Sequence, residues 1–318
     1  MASVPTFDRG GTIGVEYLGV VFSSILYGVT CIQSFQYFRS VKAGSDAWWI
    51  RSMVLALLTL DTIHQAFLIH VPYYYLIAHY GDPEALLKDL WSIPSAVALT
   101  TIIAFISNSF FVYRIWKLSS NAPVSLFCFV CAIAESAAVL TYCVKFYFKK
   151  SLLDAELSLK TTGLAAIAIA AVANVFISAI MTFYLNASRT GLRRSDSVIT
   201  KLIVLVVSTG TSTTVALVAD LISYTIAPDL LYVLMFEFMV AKLFVNSTLT
   251  CLNLRDHINS VLSDKSANSI HLSRIGNETS VPTSQRAQIA NLSPSVNTDP
   301  IESRDKYPIS YSFDGSEV

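Results

Sequence analysis

Charge is scarce in this chain. Of its 318 residues 14% are Asp, Glu, Lys or Arg, against about 25% in an average soluble protein. Hydrophobic residues make up 53% and the mean hydropathy is +0.56, so a soluble all-helical bundle is a poor reading. Neither sign predominates: 22 basic and 22 acidic residues cancel, which leaves no electrostatic footprint for nucleic acid or another polyanion. Cysteine is sparse and odd in number. Cys31, Cys128, Cys131, Cys143 and Cys251 all fall in or beside apolar stretches, where they read as small hydrophobes rather than a disulfide framework. The phosphate-cradling GxxxxGKS, the GxSxG elbow and the HExxH zinc pair are missing. No cysteine or histidine cluster has ligand spacing, so the sequence points to no catalytic residue, no cofactor and no metal, and to a protein that is not an enzyme. Residues 1–14 lack the basic opening of a cleavable signal peptide, and the first apolar span is expected to start insertion itself.

What the chain has is apolar length. Runs able to cross a hydrocarbon core of about 30 Å fall at about Val15–Phe38, Trp48–Pro72, Ile93–Trp116, Val124–Phe146, Thr162–Asn186, Leu202–Ala227 and Leu230–Leu254. Only helices satisfy their own backbone at such depth. The expected fold is therefore all-α, a polytopic bundle of seven transmembrane helices with the topology of a G-protein-coupled receptor. Trp48, Trp49, Tyr73, Tyr74, Tyr75, Trp91, Trp116 and Tyr184 lie near the span edges and form an interfacial aromatic belt. Small residues crowd the fifth span (Gly163, Ala165, Ala166, Ala168, Ala170, Ala171, Ala173), which permits close helix approach or reflects plain helix propensity.

Basic residues set the expected orientation. With the N-terminus outside, the inner flanks hold ten (Arg39, Lys42, Arg51, Arg114, Lys117, Arg189, Arg193, Arg194, Lys201 and Arg255), and the outer flanks hold six (Arg9, Lys88, Lys145, Lys149, Lys150 and Lys160). That bias favours an outside N-terminal segment over residues 1–14, a transmembrane domain over 15–255 and an inside C-terminus, in the plasma membrane. The cluster Lys145, Lys149 and Lys150 opposes it. From Asp256 to residue 318 the composition turns to Ser, Asn, Thr, Pro and charge, too polar to offset chain entropy, so a disordered cytoplasmic tail is expected. The sequons at Asn186, Asn246, Asn277 and Asn291 then fall in the membrane or inside and stay unmodified.

Charge inside the membrane is the one signal of a site. Lys242 stands near the midpoint of the last span, where a lysine costs about 2.5 to 3.5 kcal/mol to insert. At helical spacing Lys242, Asn246, Thr250 and Asn253 form a polar stripe that should face protein. Glu237, five residues earlier, points to a different side. By depth, Asp61, Glu135 and Lys242 lie near the middle, and Asp220 and Glu237 share the outer half. His64 and Gln65 follow Asp61 at i+3 and i+4. The expectation is a polar core in which Lys242 pairs with Asp61, with Asn246 and Asn108 completing its hydrogen bonds. Such a pair serves either a ligand site or helix register alone. His64 reads as an interior histidine.

Familiar seven-helix signatures are missing. Arg114 in VYRIW follows no acid, and the last helix ends NSTLTCLNLR without an NPxxY-like step. Lys242 could carry a retinal Schiff base, but Phe238 stands where the microbial proteins place an aspartate, and the third span has no counter-ion. LTLDTIHQAF around Asp61, SNSFFVYRIWKLS from Ser107, SRTGLRRSDSVITKLI from Ser188 and AKLFVNSTLTCLNLR from Ala241 resemble a large family of fungal, mainly mushroom-forming, seven-helix proteins catalogued only as domain of unknown function 6534. The resemblance runs from about Gly14 to Arg255, with Leu192 and Cys251 as mild departures. It implies a membrane protein of unestablished activity. Arg189, Arg193 and Arg194 would sit at a cytoplasmic helix end beside anionic headgroups, open to a signalling partner. The functional expectation is receptor-like: a membrane protein embedded in lipid that senses a small or lipidic ligand in a polar pocket around Lys242. The alternative is a transporter or ion pathway using Asp61, Glu135, Asp220 and Lys242 as a charge relay, although no internal repeat supports it.

Overall fold

The structure, a computed structural model, describes residues 14–40, 46–80, 82, 90–148, 152–189, 193–226 and 233–254, with the side chains of 152–157 and 193–198 excepted. The N-terminal segment before Gly14 and the tail from 256 lie outside the described residues, as do Lys42, Lys88, Lys149, Lys150, Arg255 and the sequons at Asn277 and Asn291. Among the described residues all regular structure is helical. The seven helices are α1 (Val15–Arg39), α2 (Trp48–Tyr73, continued by a π-helical turn Tyr74–Ala78), α3 (Ser92–Ser119), α4 (Ala122–Tyr147), α5 (Leu152–Ala187), α6 (Arg193–Ile226) and α7 (Val233–Leu254). Each is long and apolar enough to cross a membrane.

Two helices begin well before the apolar spans. The expected fifth span opened at Thr162 and the sixth at Leu202, yet α5 and α6 start at Leu152 and Arg193. Hydropathy marks only the part that needs hydrocarbon, whereas backbone hydrogen bonding propagates through helix-forming polar residues beyond it. Local chemistry fixes several ends. Pro72 lacks an N–H and crowds the preceding turn, and the ladder beyond it widens into the π-helical turn. Ser120 takes a left-handed conformation (φ 51°) that closes α3, and Pro123 then opens α4 in its first turn. So short a connection makes α3 and α4 antiparallel neighbours.

The outer surface is apolar. Ile25, Ile32 and Phe35 on α1, Leu126 on α4, Phe183 on α5 and Val204 on α6 are all at least 60% exposed. Such a surface is stable against lipid tails and would aggregate in water. Trp48, Tyr73, Trp91 and Trp116 are exposed near the helix ends, as an interfacial belt requires, but Tyr75 is buried, packed with Val71, Leu90 and Ile93. Inside, small residues set the spacing. A Cβ added at Gly210 of α6 would lie 2.8 Å from Ser178 Cβ of α5, and one added at Gly19 of α1 would lie 2.8 Å from Met235 Cα of α7. Ala166, Ala170, Ala171 and Ala173 of α5 are buried. Asn174 of the same helix donates to Thr214 Oγ1 of α6 at 3.1 Å. The five cysteines are free thiols; Cys31 is exposed on the outer surface, and Arg114 donates to Cys251 Sγ, tying the end of α3 to that of α7.

Candidate functional site

Helix α7 has two polar faces, because residues five apart are turned about 140° from one another. Lys242 looks toward α1 and α2. Its Nζ lies 2.6 Å from Asp61 Oδ1 of α2, donates to the Asp61 carbonyl at 3.0 Å, and stands 5.2 Å above the centre of the Tyr27 ring of α1. Both charged side chains are fully buried. Each supplies the counter-charge that makes the other tolerable at that depth, and the aromatic face adds a cation–π contact on a side without acids.

The rest of the stripe continues along the same seam. Asn246 donates to the Leu26 carbonyl of α1 at 3.1 Å and accepts from Thr30 Oγ1 at 3.1 Å. Gln33 donates to Thr250 Oγ1 at 2.9 Å, and Asn253 donates to the Gln33 carbonyl at 2.8 Å. Toward the N-terminal end of α7, Ser23 donates to the Phe238 carbonyl at 3.1 Å, and Gln65 of α2 donates to Ser24 Oγ at 2.9 Å. These bonds tie α7 to α1, and α1 in turn to α2. The expected hydrogen bonds from Asn246 and Asn108 to Lys242 are not formed. Asn246 is spent on α1, and Asn108 donates to Glu135 Oε2 of α4 at 3.0 Å.

The hollow lies on the other face of α7. A cavity of about 120 Å³ opens between α3, α4, α5, α6 and α7, in the half of the bundle where α1 begins. Its walls are mostly apolar (Val97, Ile167, Leu217, Val240 and Phe244 among them), and three carboxyls stand in them: Glu135 of α4, Asp220 of α6 and Glu237 of α7. Among the described residues none that lines it is basic. Glu135 is held by Asn108. Asp220 is 1% exposed and its Oδ1 has no hydrogen-bond partner, within electrostatic reach of Glu237. Glu237 is half-buried and faces the cavity. Gly163 keeps the hollow open on the α5 side, since a Cβ there would come within 2.9 Å of Tyr224 Oη and 3.1 Å of Tyr142 Cε2.

The sequence thus places the right residues at depth but gathers them into one core where the structure makes two. The cavity does not form around Lys242 as expected: neither Lys242 nor Asp61 lines it, and both side chains are fully buried against each other. One side chain touches both regions. His64 is 1% exposed, and its Nε2 lies 3.2 Å from Thr100 Oγ1, a hydroxyl that lines the cavity; its Nδ1 has no partner. Arg189 is exposed and reaches Thr200 Oγ1 at 3.4 Å. Arg193 and Arg194 open α6, but their side chains lie outside the described residues. Sequence reasoning passed over Glu16, fully buried in the first turn of α1 with both carboxyl oxygens unpartnered. It also passed over Thr100, Tyr142 and Tyr224. Glu16 could have been found as an acid inside the edge of an apolar span, whereas the other three carry no signal without knowledge of helix rotation.

Comparison with known proteins adds a partial family match and no activity. Residues 170–257 match the family described as a family of unknown function, DUF6534. The matched segment takes in the end of α5, all of α6 and α7, and so Asp220, Glu237 and Lys242. No curated protein and no solved structure matches the chain.

Proposed function

We propose, starting from the match of residues 170–257 to a family of unknown function, that the chain is a receptor-like membrane protein whose five-helix cavity takes a small or lipidic ligand. The observation that carries this reading is the cavity itself: about 120 Å³ of mostly apolar space with three acids in its walls. Concave apolar space with a few convergent polar groups is the usual form of a ligand site. In this reading the N-terminus and the cavity face the outside of the plasma membrane, as the distribution of basic residues favours. The opposite ends of the helices, with Arg189, Arg193 and Arg194, meet the signalling partner, and the chain performs no catalysis. The seam between α7, α1 and α2 is the fixed frame against which the cavity helices shift. Lys242, held by Asp61 outside the cavity, is badly placed to carry a chromophore.

The test pairs two measurements on purified protein. A ligand screen by thermal unfolding in detergent should yield compounds that stabilise the bundle, while proteoliposomes should show no flux driven by pH or membrane potential. Such flux would favour the second reading, a proton or ion pathway. One contact supports that alternative: His64, touching Thr100 in the cavity wall, stands one helical turn from Asp61 in the seam.

A further inference from the structure

The acids of the cavity are unbalanced. Asp61 has Lys242, but among the described residues no base lines the cavity to answer Glu135, Asp220 and Glu237. Glu135 at least receives a hydrogen bond from Asn108. Asp220 has a buried oxygen that accepts no hydrogen bond from the described residues, in the wall of an open space. An oxygen in that position is a strong acceptor waiting for a donor, and a charged donor forms the stronger bond.

Two simpler occupants fit badly. Among the described residues no three Asp, Glu, His or Cys side chains come close enough to hold a metal ion. A small hydrated cation would have to shed water against walls that are largely hydrocarbon. A neutral apolar molecule would fill the space and leave Asp220 Oδ1 without a hydrogen bond. An ammonium group on an apolar body satisfies both surfaces at once, with its N–H donors toward Asp220 and Glu237 and its body among Val97, Leu217 and Phe244. Tyr142 and Tyr224 offer ring faces in the same wall. The volume limits the body: a cavity of roughly 150 Å³ holds a benzene ring, so about 120 Å³ suits one ring or a short branched chain with its amine.

We propose that the cavity is a binding site for a small amphipathic amine, whose ammonium group is held between Asp220 and Glu237. The inference rests on the ligand-cavity reading above and narrows it to a chemical class.

The experiment measures binding of 2-phenylethylamine, 2-phenylethanol and 3-phenylpropionate to the full chain in detergent, by titrated thermal stabilisation. The amine should bind at least about tenfold tighter than the alcohol, the margin of a charge-assisted over a neutral contact, and the carboxylate should not bind. In the double variant Asp220→Asn, Glu237→Gln, which keeps the volumes, the amine should fall to the affinity of the alcohol while the protein remains folded. Equal binding of amine and alcohol by the unaltered protein would overturn the assignment of an amine and leave the ligand cavity standing. An undiminished preference for the amine in the double variant would place the ammonium elsewhere and overturn the proposal. Binding of none of the three overturns it as well, and if pH-driven flux accompanies that result the receptor reading falls with it.

Discussion

The two faces of α7 treat buried charge in opposite ways. Toward α1 and α2, Lys242, Asn246, Thr250 and Asn253 each meet a partner within 3.1 Å. Toward α3 to α6, Glu237 looks into a hollow it shares with Asp220 and Glu135, and one Asp220 oxygen meets nothing. Desolvating a polar group is costly in either place; the ion pair recovers much of that cost inside the seam, where Asp61 Oδ2 and Gln33 Oε1 still lack a hydrogen bond, as Asp220 Oδ1 does in the cavity wall. Groups left unanswered in a roomy wall are where a molecule from outside has interaction energy to gain. Paired groups in the seam have already used theirs for architecture.

Substitutions can break or sharpen that contrast. The largest loss is expected from Lys242→Met, which strands Asp61: about 3 to 5 kcal/mol for half of a buried pair, read as a large fall in thermal stability in detergent. Combining it with Asp61→Asn should recover much of the loss, and a double-mutant cycle should report a coupling well above about 0.5 kcal/mol. If Asp61→Asn alone leaves stability untouched while Lys242→Met unfolds the protein, the seam does not depend on this pair. Gly210→Val should cost about 1 to 3 kcal/mol through overpacking against Ser178, a control for tight contact without charge. Asn246→Leu removes two contacts to α1, worth about 1 to 2 kcal/mol together at the roughly 0.6 to 1.7 kcal/mol found for hydrogen bonds between membrane helices. Smallest of all is Asp220→Asn, expected to leave stability within about 0.5 kcal/mol of the parent or to raise it, because no internal bond to its Oδ1 is lost. A loss comparable to that at Lys242 would mean that the cavity acids are structural and erase the distinction.

Much of this was legible in the sequence, and the limits have physical causes. Seven crossings follow from hydropathy because lipid demands an apolar length whatever the packing. That Lys242 needs an acid follows from depth alone, and Asp61 was one of few acids deep enough to serve. Which way each helix is rotated about its axis was not legible. Asn108 turns to Glu135 instead of Lys242, and Asn246 turns to α1, because tertiary contacts of α3 and α7 decide rotations that helical periodicity leaves free. The cavity depends on the rotations of five helices at once, and Gly163 in its wall signals only the close approach of Tyr142 and Tyr224.

The ion pair also constrains how the protein is made. Asp61 is synthesised 181 residues before Lys242, which at about 5 to 20 residues per second is a wait of roughly 10 to 40 s. Through that interval the second helix carries an acid without its eventual base, while four more helices leave the ribosome. The amine of α7 then closes the pair, so this contact forms only once the seventh helix has been translated. A nascent chain cut short before α7 would leave that carboxyl unclaimed, a defect that membrane quality control could read.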